Sequence, residues 1–146
     1  MPRRLDDNTE HQLGEFLAAQ SQVVSRQQML ALGISDAVIR ARLSSQLWQD
    51  GYPGTYVAHN GPVSYVSRVW AAVLYAGDGA VASFTTSAYL HGLMTMAPGD
   101  VHVTVPSGRR VAKQRGLVVH LSNRVYEQAE LFSSPPRTTV EETALD

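Results

Sequence analysis

The chain has 146 residues, 44% of them apolar and 17% charged, with a formal net charge of −1 and no cysteine. That length fits one domain or two small ones, and the composition is that of a folded globular chain rather than a disordered one. Without cysteine there are no disulfides and no thiolate metal sites, and a near-neutral total gives no chain-wide attraction to nucleic acid.

The polar start lacks the apolar stretch of a secretory signal, so a cytoplasmic protein is expected. Short polar residues at Asp6 to Asn8 can cap a first helix running to about Ala19, with Leu13, Phe16 and Leu17 as its apolar stripe and Gly14 as a weak point inside it. Gln22 to Val24 can be extended. Ser25 with Gln28 forms a capping box that opens a second helix through Leu32, which Gly33 ends. Ser35 caps a third helix reaching about Ser45, so two short helices meet at a tight glycine turn, the outline of a helix-turn-helix.

On the third helix, Ile39 and Leu43 are expected to face the core with Ile34 beneath them. Ala37, Ala41 and Ser44, flanked by Arg40, form the opposite face. Small side chains let a helix backbone sit close to a major groove, where alanine methyls can meet thymine methyls. Arg42, nearer the core boundary, is expected to reach phosphate. The same face also suits an ordinary solvated helix. Leu47 to Gln49 and Thr55 to His59 then suggest two strands around the turn-rich Asp50-Gly51-Tyr52-Pro53-Gly54. A hairpin there has the position of a wing, with Gln49 and Tyr52 within reach of the DNA backbone and Trp48 packed between hairpin and helix.

Asn60-Gly61-Pro62 is the expected boundary between a first domain, residues 1–60, and a second, residues 61–146. A helix over about Val63 to Tyr75 follows; its apolar run, Val69 to Ala76, is far short of the about 20 residues a membrane helix needs. Ala80 to Phe84 reads as a strand, and Thr85 caps a short helix through Leu93 on which His91 is a polar filler. Val101 to Val105 and Gly116 to Ser122 alternate as strands. A symmetric hairpin between them pairs His102 with His120, but with no third ligand in view a metal is not expected. The loop between them is basic: Arg109, Arg110, Lys113 and Arg115 occur with no acid from Val101 to Tyr126, while five acids face one arginine from Glu127 to Asp146. This loop is either a mobile solvated hairpin or a second contact with the DNA backbone. Thr139 with Glu142 opens a last helix barely begun at Asp146, so it either docks as a stub or the chain is a piece of something longer.

These elements give an α+β chain, a winged helix-turn-helix followed by a small mixed α/β domain. Their combined pattern resembles the N-terminal region of the AbiE-type abortive-infection antitoxins, over nearly the whole chain. The resemblance is carried by Leu30-Ala31-Leu32-Gly33-Ile34-Ser35, Ile39-Arg40-Ala41-Arg42, Trp48-Gln49, Pro53-Gly54-Thr55-Tyr56, Val101-His102-Val103-Thr104-Val105-Pro106 and Arg137-Thr138-Thr139. It implies a repressor that binds its own operator in double-stranded DNA, with a nucleotidyltransferase-like toxin as partner; a homodimer is left open beside it. Longer relatives add a domain like the very-short-patch repair endonucleases; this chain ends where that domain would begin, so nuclease activity is not carried over. No nucleophile elbow, H-E-x-x-H helix or carboxylate-and-lysine nuclease arrangement is present, so no enzyme and no cofactor is expected. Two alternatives stand beside the regulator: the DNA-recognition part of a longer endonuclease-like protein, and a module that neutralises a toxin by contact alone.

Overall fold

The computed structural model describes residues 4–130 and 132–145; Asp146, where the last expected helix stops, lies outside them. The chain is α+β and divides into two compact units, Met1–Ala71 and Ala72–Asp146. The expected boundary at Asn60-Gly61-Pro62 therefore falls inside the first unit. Apolar burial continues past it, since Val69, Trp70 and Ala71 are all buried.

In the first unit, α1 (Asp7–Ala19) is capped by the Asp6 carboxylate, which accepts from Thr9 N at 2.7 Å. A short strand β1 (Val23–Ser25) leads into α2 (Arg26–Ala31). The expected capping box is present in both directions: Gln28 N donates to Ser25 Oγ and Ser25 N donates to Gln28 Oε1, each at 3.0 Å. Gly33, at φ +81°, turns the chain out of α2. Its N–H donates to Leu30 O and that of Ile34 to Met29 O, so the helix's last carbonyls are satisfied by the turn itself. Ile34 and Met29 are both buried, which joins this exit to the core.

The third helix, α3 (Asp36–Ser44), ends the same way around Gln46, at φ +61°, with Leu47 N donating to Arg42 O at 3.1 Å. Next come β2 (Gln49–Asp50) and β3 (Thr55–Val57), which form an antiparallel sheet with β1 in the order β1-β3-β2. Leu13, Val24, Met29, Ile34, Val38, Ile39 and Trp48 make the core. Val38 takes the place expected of Leu43, which packs at the core's margin. Gly51 in the hairpin turn is fixed by space: a Cβ there would lie 2.5 Å from Thr55 Oγ1.

Gly14 has the opposite character. It sits in α1 with nothing within 4 Å of where a Cβ would be. Gly14→Ala is therefore expected to stabilise the protein by about 0.5–1 kcal/mol, read as a higher denaturant midpoint with an unchanged m-value.

The unit division lies within α4 (Tyr65–Ala76). The second unit contains β4 (Val81–Ala82), α5 (Phe84–Leu90), β5 (Val101–Pro106), β6 (Leu117–Ser122), α6 (Val125–Gln128), β7 (Ala129–Glu130), β8 (Arg137–Thr138) and α7 (Val140–Leu145). Its sheet order is β6-β5-β4-β8-β7. Val101, Val103 and Val105 are fully buried on one face of β5, as their alternation predicts.

β5 and β6 are parallel, which corrects the expected hairpin. Alternating patterns specify which face is apolar but not strand direction, and here residues 107–116 carry the chain back to start β6 beside the start of β5. Anchors on α4 hold that crossover. Tyr75 Oη donates to Ala112 O at 2.8 Å, Gln114 Nε2 donates to Tyr75 Oη at 3.2 Å, and Arg109 Nη1 donates to Ala76 O at 3.3 Å.

The last helix docks through hydroxyls. Thr143 Oγ1 donates to Thr139 O at 2.7 Å and lies 2.7 Å from Thr138 Oγ1 and 2.9 Å from Ser87 Oγ, with all three side chains buried. Thr143→Val keeps the shape but leaves the Thr138 hydroxyl without this partner. A loss of about 1–3 kcal/mol is expected, measured by urea unfolding. A change below a few tenths would mean that water replaces the hydroxyl.

Candidate functional site

The two short helices α2 and α3 are fastened by more than their turn. Arg26, first residue of α2, donates from Nε and Nη2 to the two carboxylate oxygens of Asp36, first residue of α3, both at 2.8 Å. This bidentate bond holds the Asp36 carboxyl below the ordinary aspartate range. A depressed carboxyl contributes stability above its unfolded value of about 3.9 and loses it as pH falls through the folded value. The link is therefore constant around neutrality.

The outer side of α3 carries Ser35, Ala37, Arg40 and Ser44, all exposed, with Ala41 half-buried. Ser35 also caps the helix, accepting from Val38 N at 3.4 Å. The expected smooth face with a positive edge is brought together on one side of the helix.

Of three other residues expected at this site, Arg42 and Gln49 are tied by their side chains within the protein and Tyr52 by its backbone. Arg42 Nη2 donates to Glu10 Oε1 at 2.8 Å, and the guanidinium lies over the Trp48 ring, 5.0 Å from its centroid. Its side chain is only 23% exposed. It clamps α1 to α3 and covers the core tryptophan, a geometry at odds with a phosphate contact. Gln49 Nε2 donates to His59 O and Gly61 O, both at 2.8 Å, so it fixes the segment after the hairpin. Tyr52 is half-buried in the turn, and its carbonyl accepts from Thr55 N at 2.8 Å and Thr55 Oγ1 at 2.7 Å.

The basic loop in the second unit is likewise divided. Arg109 is half-buried and bonded to Ala76 O and Asp78 O, satisfying carbonyls at the end of α4. Arg110, Lys113 and Arg115 are exposed. The loop joins two parallel strands and is not a hairpin, and it is anchored to the end of α4.

His102 and His120 do meet, though not as opposed residues. The parallel register sets His120 beside Thr104, and the rings meet diagonally, His102 Nδ1 lying 3.0 Å from His120 Nε2. One proton fits between those nitrogens. Phe84 stacks on His120 with ring centroids 3.9 Å apart, and holds φ +54° at the start of α5, an uncommon conformation for a bulky side chain. Sequence reading missed Phe84, because the strand-to-helix turn that aims its ring is a tertiary feature. Among the described residues no group of three His, Cys, Asp or Glu side chains could hold a metal. His91, the expected filler, has Nε2 at 2.7 Å from Thr138 O, so that nitrogen carries the proton and ties α5 to β8. Among the described residues no helix is long and apolar enough to cross a membrane.

No protein-family model matches the chain. Nor does any curated protein. Among solved structures the chain is similar to the crystal structure of the RV2827C protein from Mycobacterium tuberculosis, at 18% sequence identity and a TM-score of 0.44. The similarity covers 83% of this chain and 47% of that one, so the chain spans about half the length of that protein.

Proposed function

We propose that the first unit is a winged helix-turn-helix that sets α3 in the major groove of duplex DNA. On this reading the chain is a cytoplasmic transcriptional regulator acting on its own operator. The observation that carries the reading is the outward face of α3, where Arg40 is exposed among Ala37, Ala41 and Ser44. Supporting it are the order α1-β1-α2-α3-β2-β3 and the sheet order β1-β3-β2. In that arrangement the hairpin follows α3 directly, as a wing follows a recognition helix. The nearest acid on α3, Asp36, is neutralised by Arg26 and does not oppose phosphate.

The antitoxin role, with a nucleotidyltransferase-like toxin as partner, rests on the resemblance of the sequence to the AbiE-type antitoxins. No residue is assigned a catalytic role.

Fluorescence anisotropy with the DNA upstream of the protein's own gene tests the reading. Binding should exceed that to random duplex at every salt concentration, and log K should fall linearly with log salt. Equal affinity for both duplexes would reduce the first unit to a non-specific binder. No binding at low salt would sink the DNA reading. For the antitoxin role, co-expression with the product of an adjacent nucleotidyltransferase-like gene should restore growth.

A further inference from the structure

β6 is an end strand of its sheet, and its open side is unusually unprotected. Val101 N donates to Gly116 O and Ser107 N to Ser122 O, with Val101 opposite Leu117 and Pro106 opposite Ser122. In a parallel ladder of that register, residues 118, 120 and 122 bond to β5. The N–H and C=O groups of Val119 and Leu121 then point away from the sheet, and they have no backbone partner among the described residues. Edge strands are ordinarily blunted by lysine, proline, a bulge or a covering segment. Leu117–Ser122 contains no Asp, Glu, Lys, Arg or Pro.

The apolar face of β6 is open as well. Val105 is fully buried, whereas Leu121, its neighbour across the ladder, is 59% exposed. Beside it lies a groove of about 640 Å³ whose walls include Arg110, Val111, Lys113, Leu117, Val119 and Leu121. Its basic wall is held in place by Arg109 and Gln114, so the groove exists before any partner arrives. The stretch from Val101 to Tyr126 that supplies this wall contains no Asp or Glu of its own.

We propose that β6 is a docking edge for an extended acidic peptide of another protein, added to the sheet as a sixth strand. Main-chain bonds to Val119 and Leu121 give the affinity, and alternate side chains give the selectivity. Apolar residues of the peptide lie over Leu121 and Val119, and its carboxylates meet Arg110 and Lys113. A DNA backbone would use the cations but leave the leucine and valine surface uncovered. The proposal is independent of α3 and of DNA binding by the first unit.

The test uses the whole chain and a short synthetic peptide whose alternate positions read valine, valine, glutamate, glutamate with threonine between them, so that apolar and acidic side chains share the face toward the groove, with a lysine-for-glutamate peptide as its counterpart. The glutamate peptide should bind at least about tenfold more tightly. Its binding should weaken with salt, and the double substitution Arg110→Ser, Lys113→Ser should remove that salt dependence. Val119→Pro deletes an outward N–H without touching the ladder and should lower affinity about tenfold or more. In the unsubstituted protein, peptide should slow hydrogen exchange at the Val119 and Leu121 amides and leave Val118 and His120 unchanged, a readout that needs no variant to fold. The proposal is overturned if the lysine peptide binds as well, if neither outward amide gains protection, or if the chain pairs edge to edge with itself and ignores peptide. It is also overturned if random duplex DNA, not peptide, protects the loop.

Discussion

Replacing Trp48 with alanine is expected to cost about 3–5 kcal/mol of folding stability. The indole is 6% exposed and lies among Leu13, Met29, Ile34 and Ile39, side chains supplied by α1, by α2, by the turn after it and by α3. Its backbone N–H donates to Arg42 O at 3.2 Å, which seats the ring at the exit of α3. Arg42 lies over the ring, so alanine leaves a cavity and also takes the packing surface from under a guanidinium. A unit of this size has little stability in reserve, since small domains bury a smaller share of their surface. Urea unfolding followed by far-UV circular dichroism should show a loss of that size or outright unfolding of the first unit. Trp48→Phe should retain most of the stability, because a ring still fills the site. A loss under about 1 kcal/mol for alanine would place the indole outside the core.

Trp48 was legible from its size and its place between helix and hairpin, whereas α2, Gly33 and α3 were legible from local signals. A capping box, a glycine exit and a serine cap are written within a few residues of where they act. Gly33 needs its positive φ, Ser25 needs Gln28 three residues on, and nothing distant can easily override them. What could not be read is what depends on residues far apart in the chain. Arg42 differs from Arg40 by two positions, yet Glu10, 32 residues away, takes its guanidinium. Arg109 reads as one more cation in a basic loop until the end of α4 arrives beneath it. The direction of β6 was unreadable for another reason. A parallel and an antiparallel partner of β5 present the same alternation, and only the anchoring of the crossover on Tyr75 separates them.

Those two arginines carry the sharpest test of the DNA reading. Arg40 is exposed and lies on the outward face of α3, whereas Arg42 is clamped between Glu10 and Trp48. Arg40→Ala should therefore weaken operator binding by about 1–3 kcal/mol and blur preference at one base position. Its effect on stability should stay within about 0.5 kcal/mol, as for most exposed substitutions. Arg40→Glu should do more, because a carboxylate aimed at the groove repels phosphate as well as losing the base contact. Arg42→Ala should behave the other way round. It should lower stability by up to about 1 kcal/mol for the lost ion pair, and somewhat more if the tryptophan ring is uncovered. The slope of log K against log salt should then change by less than the about 0.9 that each neutralised phosphate contributes. Unfolding curves and salt titrations on the same two variants separate the roles. If Arg42→Ala flattens the salt slope by one contact while stability holds, Arg42 leaves Glu10 for phosphate on binding, and α1 must loosen when DNA is bound. If Arg40→Ala leaves operator and random DNA equally affected, α3 touches only the backbone, and sequence must be read by another part of the first unit.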